Sequence, residues 1–250
     1  MRIASAGHAA FAAVLVALGI QGLVHGGFTA VWQPVPENAP AREALAYLCA
    51  LIFVAGGLAS LWRRTAAPAA RVLLVSLLLW LLFLRMPDLF RAPAAFVSWD
   101  GCAETAAIVA AAWVLYAWFA VDEQQHPGFA AGTSGVRIAR VLFGLALIPF
   151  GVGHFLYVKQ TAALVPGWLP VHVAWVYVTG GAFLAAAVAV LVNRHAHVAA
   201  ALSALQIGLF TLLVWVPIVA AGSKDAYQWS EFGLSAALTA AAWVVADSYR

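Results

Sequence analysis

Asp100 and Glu104 stand four residues apart and share one face of any helix that holds them. A carboxyl pair at a membrane surface can retain a proton and act as general acid or base. If the two instead open a helix, they answer to its macrodipole, with Asp100 as the cap, and Glu231 at a second helix start supports that simpler reading. Arg85 and Asp88, three apart around Pro87, are expected to pair with each other, the alternative being that Arg85 offers its fork to an anionic headgroup or substrate. His154, Glu231, Glu104 and Asp100 are therefore the candidates for catalysis.

His25 and His154 each stand three residues after a glycine, in Gly22-Leu23-Val24-His25 and Gly151-Val152-Gly153-His154. If the chain is duplicated, both imidazoles could converge on one central ligand. Neither has a second ligand at helical spacing, so a hydrogen bond to a neighbouring helix is the simpler role. His195 and His197 lack an acidic neighbour, and Cys49 and Cys102 have neither CxxC nor Cys/His spacing, so no metal site is expected and the thiols should be buried and unpaired. Nucleophile-elbow, zinc-protease, phosphate-loop and dinucleotide fingerprints are absent.

The elements that must carry these residues follow from composition. Of 250 residues 65% are hydrophobic and 9% charged. A soluble globule of this length would need more polar surface, so the solvent for most of the chain is lipid. The net charge is +3, but the basic residues are scattered singly, which gives no nucleic-acid interface. Eight stretches are long and apolar enough to span, near 8–30, 44–62, 70–90, 102–121, 137–157, 171–192, 197–221 and 228–247. Backbone groups in lipid must be satisfied within each span, so the fold class is all-α, a polytopic integral membrane protein.

Sliding the chain by 130 residues aligns 35–114 with 165–244 without a gap, and about 24 of the 80 pairs are identical. Among them are Pro36/Pro166, Tyr47/Tyr177, Phe53/Phe183, Arg64/Arg194, Pro87/Pro217, Trp99/Trp229 and Trp113/Trp243. A one-residue slip upstream brings His25 onto His154. The unit is four helices, and an even number of spans per unit makes the two copies parallel repeats. The expected organisation is a first repeat over 1–121, a cytoplasmic linker over 122–136 and a second repeat over 137–250.

Eight basic residues fall on the side of the termini and five opposite, so both termini are expected in the cytoplasm of a multi-pass inner-membrane protein. The first apolar stretch follows Arg2 as a signal peptide would, but it aligns with a mid-chain helix and reads as a span. With this topology the charged residues within spans collect at the outer ends. Most of the eleven tryptophans fall near span ends, as an aromatic belt requires. The segment Leu164-Val165-Pro166-Gly167-Trp168-Leu169-Pro170 is too short to span and too apolar for water, and should lie in the outer interface.

The second half resembles the DoxX-like family of four-helix bacterial membrane proteins. The resemblance is carried by Arg137-Ile138-Ala139-Arg140-Val141-Leu142-Phe143-Gly144, Gly151-Val152-Gly153-His154-Phe155, the Leu164–Pro170 segment, Trp175-Val176-Tyr177-Val178-Thr179-Gly180, Pro217, Trp229 and Glu231. It departs where many members carry a Glu after that Thr-Gly and this chain has Gly181-Ala182-Phe183. The resemblance implies an accessory or scaffold subunit linked to quinone or sulfur redox chemistry, with a redox partner protein in the membrane. A quinone or another isoprenoid would occupy an outer-leaflet cleft between the halves, with His154 or Glu231 bonding its head and His25 and Trp168 as further contacts. The alternatives are an enzyme acting on such a lipophile and a carrier for a small solute.

Overall fold

The computed structural model describes residues 3–121 and 128–250. Eight helices in it are long and apolar enough to cross a membrane, and no strand occurs among the described residues. The spans are α1 (Ala6–His25), α2 (Arg42–Ser60), α3 (Ala66–Arg91), α4 (Phe96–Ala120), α5 (Gly132–Leu156), α7 (His172–Leu191), α8 (Ala196–Ala220) and α9 (Ala226–Asp247). A short helix, α6 (Val158–Leu164), lies between α5 and α7, and a single 3₁₀ turn, Ala30–Trp32, between α1 and α2. The chain is a multi-pass, all-α membrane protein. Residues 122–127 of the expected linker lie outside the described residues, and α5 begins at Gly132 within it.

Local signals set the helix ends. Ser5 caps α1 by accepting from the His8 N–H, and Gly26, at φ 64°, closes it in the left-handed conformation that glycine adopts without penalty. Asp225 caps α9 by accepting from the Tyr227 N–H. Before α4 and α9, the repeat-related indoles of Trp99 and Trp229 donate to the carbonyls of Pro93 and Ser223, each six residues upstream. These bonds pin the turn that precedes each helix.

The sequence repeat is also a repeat of packing. Within each copy the first helix packs on the second, the second on the third and the third on the fourth. The fourth helix of each copy also packs on the first helix of the other, α4 on α5 and α9 on α1, and α4 and α9 meet at the centre. That central contact explains the densest run of identities, Ala110-Ala111-Ala112-Trp113-Val114 against Ala240-Ala241-Ala242-Trp243-Val244. Both alanine runs are buried. Lipid supplies no hydrophobic drive for helices to associate, so small side chains that let backbones approach must do so.

The third helices share a further irregularity. Leu81–Arg85 and Thr211–Trp215, offset by 130 residues, are single π-helical turns in which Met86 and Val216 N–H bond to the carbonyls five residues back. Pro87 and Pro217 follow by one residue more. A proline lacks the N–H and crowds the carbonyl four residues before it, and the widened turn absorbs both defects.

At the end of the bundle that carries the termini, polar groups close on one another. Buried Asp247 accepts from the Gly7 N–H at 2.9 Å and pairs with Arg250 at 3.2 Å. His8, fully buried, accepts from the Ala4 N–H through Nδ1, so its Nε2 donates to Ser60 Oγ, which in turn donates to the Gly57 carbonyl.

Candidate functional site

At the opposite end, the second repeat holds a cavity of about 740 Å³, within the usual range of small-molecule sites at about 300–1,000 Å³. The candidates Asp100, Glu104, His154, Glu231 and Trp168 all line it. His25 does not: it is the exposed last residue of α1, and the two repeat-related imidazoles share no site. The cavity lies inside the second repeat with α4 of the first as one wall, rather than in a cleft divided equally between the halves.

The carboxyl groups are not helix caps. α4 starts at Phe96 behind Ala95, which makes Asp100 its fifth residue and Glu104 its ninth. Glu231 is likewise the sixth residue of α9, behind the true cap Asp225. The expected boundaries of 102 and 228 fell inside both helices because the first turn of each is interrupted by polar residues, Ser98 and Asp100 in α4 and Gln228 and Ser230 in α9. A carboxyl group one or two turns in has no free backbone N–H to bind, so it needs another partner.

Glu104 finds one in Arg85 of α3, at 3.7 Å between partly buried side chains. Arg85 Nε also donates to Thr105 Oγ1 at 3.1 Å. The expected pairing of Arg85 with Asp88 does not form. Asp88 instead pairs with Arg91 at 3.0 Å on the exposed face, since the π turn rotates Arg85 inward while Asp88 remains outside. The repeat explains the room for Arg85. Its guanidinium lies where a side chain at Gly101 would be, and Gly101 is the counterpart of Glu231. In the second repeat the pair Arg85/Gly101 becomes Trp215/Glu231, so Glu231 has no cation from its own third helix. Neither Asp100 nor Glu231 forms an ion pair among the described residues.

His154 projects from α5 between two aromatic rings, stacked on Phe210 at 5.8 Å and edge-on to Phe183 at 5.5 Å. Its Nδ1 lies 2.7 Å from the Phe150 carbonyl and therefore carries the proton. Nε2 is left as a buried acceptor without a donor among the described residues. A hydroxyl network adjoins the cavity: Thr211 Oγ1 lies 2.7 Å from Ser235 and 2.8 Å from Thr239. Gln206 donates to the Thr179 carbonyl, which leaves its side-chain oxygen free to accept.

The rim on α7 and α8 includes Val178, Leu202 and Leu205, each more than half exposed on the outer surface of the helix bundle. Trp168, 71% exposed in the turn after α6, forms another part of the rim. Phe210, Gln206, Thr211 and Ser235 were not singled out from the sequence, and Phe183 stood out only as a repeat match and at the departure from the DoxX-like pattern, not as a site residue. Their signal is positional only: each stands on the second, third or fourth helix at the level of His154.

Among the described residues no three His, Cys, Asp or Glu side chains converge closely enough to hold a metal ion. Cys49 and Cys102 are both free thiols, Cys49 buried and Cys102 half-buried.

Fold and site together define a duplicated eight-span membrane protein with a cavity in one repeat whose lining holds three carboxyl groups and a histidine. Residues 143–246 match the model of a domain of unknown function, DUF8561, a stretch that runs from α5 to the end of α9 and includes most of the cavity lining. No curated protein and no solved structure matches the chain.

Proposed function

We propose that the protein binds a small lipophilic molecule with a polar head in the cavity of its second repeat, at the outer leaflet of the bacterial inner membrane. The observation that carries this reading is a cavity whose rim is exposed apolar surface on two spanning helices and whose wall holds Asp100, Glu104, Glu231 and His154. An apolar solute entering from lipid crosses Val178 and Leu205 without desolvating a charge. Its head then meets the polar groups that hold it in register.

The chemistry of the lining bears on which head fits. His154 Nε2 and the Gln206 side-chain oxygen are acceptors, so a hydroxyl-bearing head complements them and a head with carbonyls alone leaves them unmatched. A quinone, which the DoxX-like resemblance brings with it, therefore fits this lining in its reduced, dihydroxy form. Such a group would supply two-electron redox chemistry when bound. His154 and Gln206 would orient its hydroxyls, the Phe183 and Phe210 rings would exclude water, and Asp100 or Glu231 could take up a released proton. In this reading the protein is a membrane subunit that holds a lipophile for a redox partner, or an enzyme that acts on it.

The test is to purify the protein in native lipid discs and identify every molecule retained in near-stoichiometric amount by mass spectrometry. One lipophile should be enriched over bulk membrane and depleted at least tenfold in His154→Leu. Bulk lipid alone, equal in both proteins, would sink the proposal.

A further inference from the structure

In the first repeat, the chain itself fills the corner that corresponds to this cavity. Trp32, on the 3₁₀ turn Ala30–Trp32, is 1% exposed and packs 4.5 Å from Phe53 and 4.9 Å from Trp80, measured between ring centroids. The 130-residue shift turns Phe53 and Trp80 into Phe183 and Phe210, two walls of the cavity. The same 3₁₀ turn also packs on α9, the fourth helix of the opposite repeat. Across the cavity, the corresponding helix is α4, which presents Asp100 and Glu104.

The second repeat has the walls without the plug. Depending on which side of the one-residue slip is used, Trp32 aligns with Thr161, which lines the cavity, or with Ala162, and neither side chain has the bulk of an indole. The connecting segment folds there as α6 and packs chiefly on α7. Phe183 and Phe210 meet each other edge-on at 6.4 Å and share the His154 ring as a partner, and Phe183 also meets Phe150 at 5.9 Å, but among the described residues no indole packs against them as Trp32 does against Phe53 and Trp80.

Resting on the reading of the cavity as a lipophile site, we infer that its ligand carries a flat conjugated ring of about indole size. That ring lies against Phe183 and Phe210 in the place that Trp32 fills in the first repeat. The tilted and edge-on contacts of Trp32 with Phe53 and Trp80 are those preferred between aromatic faces and edges, and a flexible chain gains nothing from them. The donor-free Nε2 of His154 adjoins the same corner, so a ring-borne O–H or N–H has an acceptor. The rest of the cavity, towards Val178, Leu202 and Leu205, receives the ligand's aliphatic part.

The experiment uses the full chain in lipid discs with two probes, 5-fluoroindole and farnesol, and empty discs as the blank. Saturable binding is read by fluorine NMR for the first probe and by equilibrium retention for the second. Wild-type protein should bind one 5-fluoroindole, and Thr179→Trp, which places an indole in the cavity from α7, should weaken that binding at least tenfold. Trp32→Ala should expose a second site, with a lowered Tm that 5-fluoroindole restores. Trp32→Leu serves the same comparison if the alanine variant does not fold. Farnesol binding that Thr179→Trp abolishes, with no saturable 5-fluoroindole, would overturn the ring while leaving the lipophile site standing. Saturable binding of neither probe would overturn both.

Discussion

Arg85 of α3 reaches Glu104 of α4 at 3.7 Å, and among the described residues this is the one ion pair that includes a residue of the cavity wall. Both side chains are mostly withdrawn from the surface, so breaking the pair from one side leaves a charge without a partner in a poor solvent for charges. Arg85→Met is expected to destabilise the protein by about 3 kcal/mol, whereas Arg85→Met with Glu104→Leu should recover most of that loss. Chemical or thermal unfolding of the two single variants and the double variant gives the coupling. Additive losses would show that the contact contributes nothing.

His154 combines a structural contact with a binding one, and the two are separable. Phe at this position keeps a ring between Phe183 and Phe210 and loses only the Nδ1–H bond to a Phe150 carbonyl that already serves the helix. His154→Phe should therefore cost no more than about 1 kcal/mol of stability while removing the Nε2 acceptor from the cavity. The measurement is the amount of bound lipophile at unchanged Tm. Retention at the wild-type level would assign His154 to packing alone.

The eight spans and their duplication were legible in the sequence because apolar length and a gapless 130-residue offset are both one-dimensional signals. Helix starts were less so. α4 and α9 begin six and two residues earlier than hydropathy suggests, and in α4 that shift alone converts Asp100 from a presumed cap into an internal residue on the cavity wall. Nothing in the sequence sets Trp32 and Trp80 apart from the other tryptophans, yet both are buried, because position along a span says nothing about which way a side chain turns. The cavity itself is a difference between repeats: a tryptophan in one and Thr161 or Ala162 in the other. The alignment passes over that difference because the one-residue slip falls in the same loop.

Tyr249, just beyond α9, has a pH consequence. Burial pushes its phenol above the ordinary tyrosine range, and the Arg140 guanidinium, 3.8 Å from the ring centroid, offsets only part of that. A folded-state value above the unfolded one means that this contribution to stability is complete below about pH 10 and is lost as pH rises through the folded value. Wild-type protein should thus lose stability in alkali more steeply than Tyr249→Phe, and the difference between their phenolate absorbance titrations should place Tyr249 among the last to ionise. Parallel alkaline unfolding curves for the two would refute this.

Ala41 and Val171 are repeat partners, each directly after a repeated proline and each the residue that precedes a spanning helix, and both adopt the left-handed backbone, at φ 51° and 54°. A β-branched side chain fits that region worst, and Val171 is 71% exposed, so its side chain recovers little by packing. The strain comes from geometry: the chain must turn sharply from Pro170 into α7 while the Trp175 indole bonds back to the Pro170 carbonyl at 3.0 Å. Val171→Gly removes the Cβ clash and should stabilise by about 1 kcal/mol, and Ala41→Gly by less, since alanine lacks the branch. The corresponding Pro170→Ala should lower Tm, because the turn then loses the residue that presets its entry. Thermal unfolding of the three variants in the same lipid decides the matter, and a Val171→Gly protein less stable than wild type would place the requirement in the valine side chain rather than in the backbone.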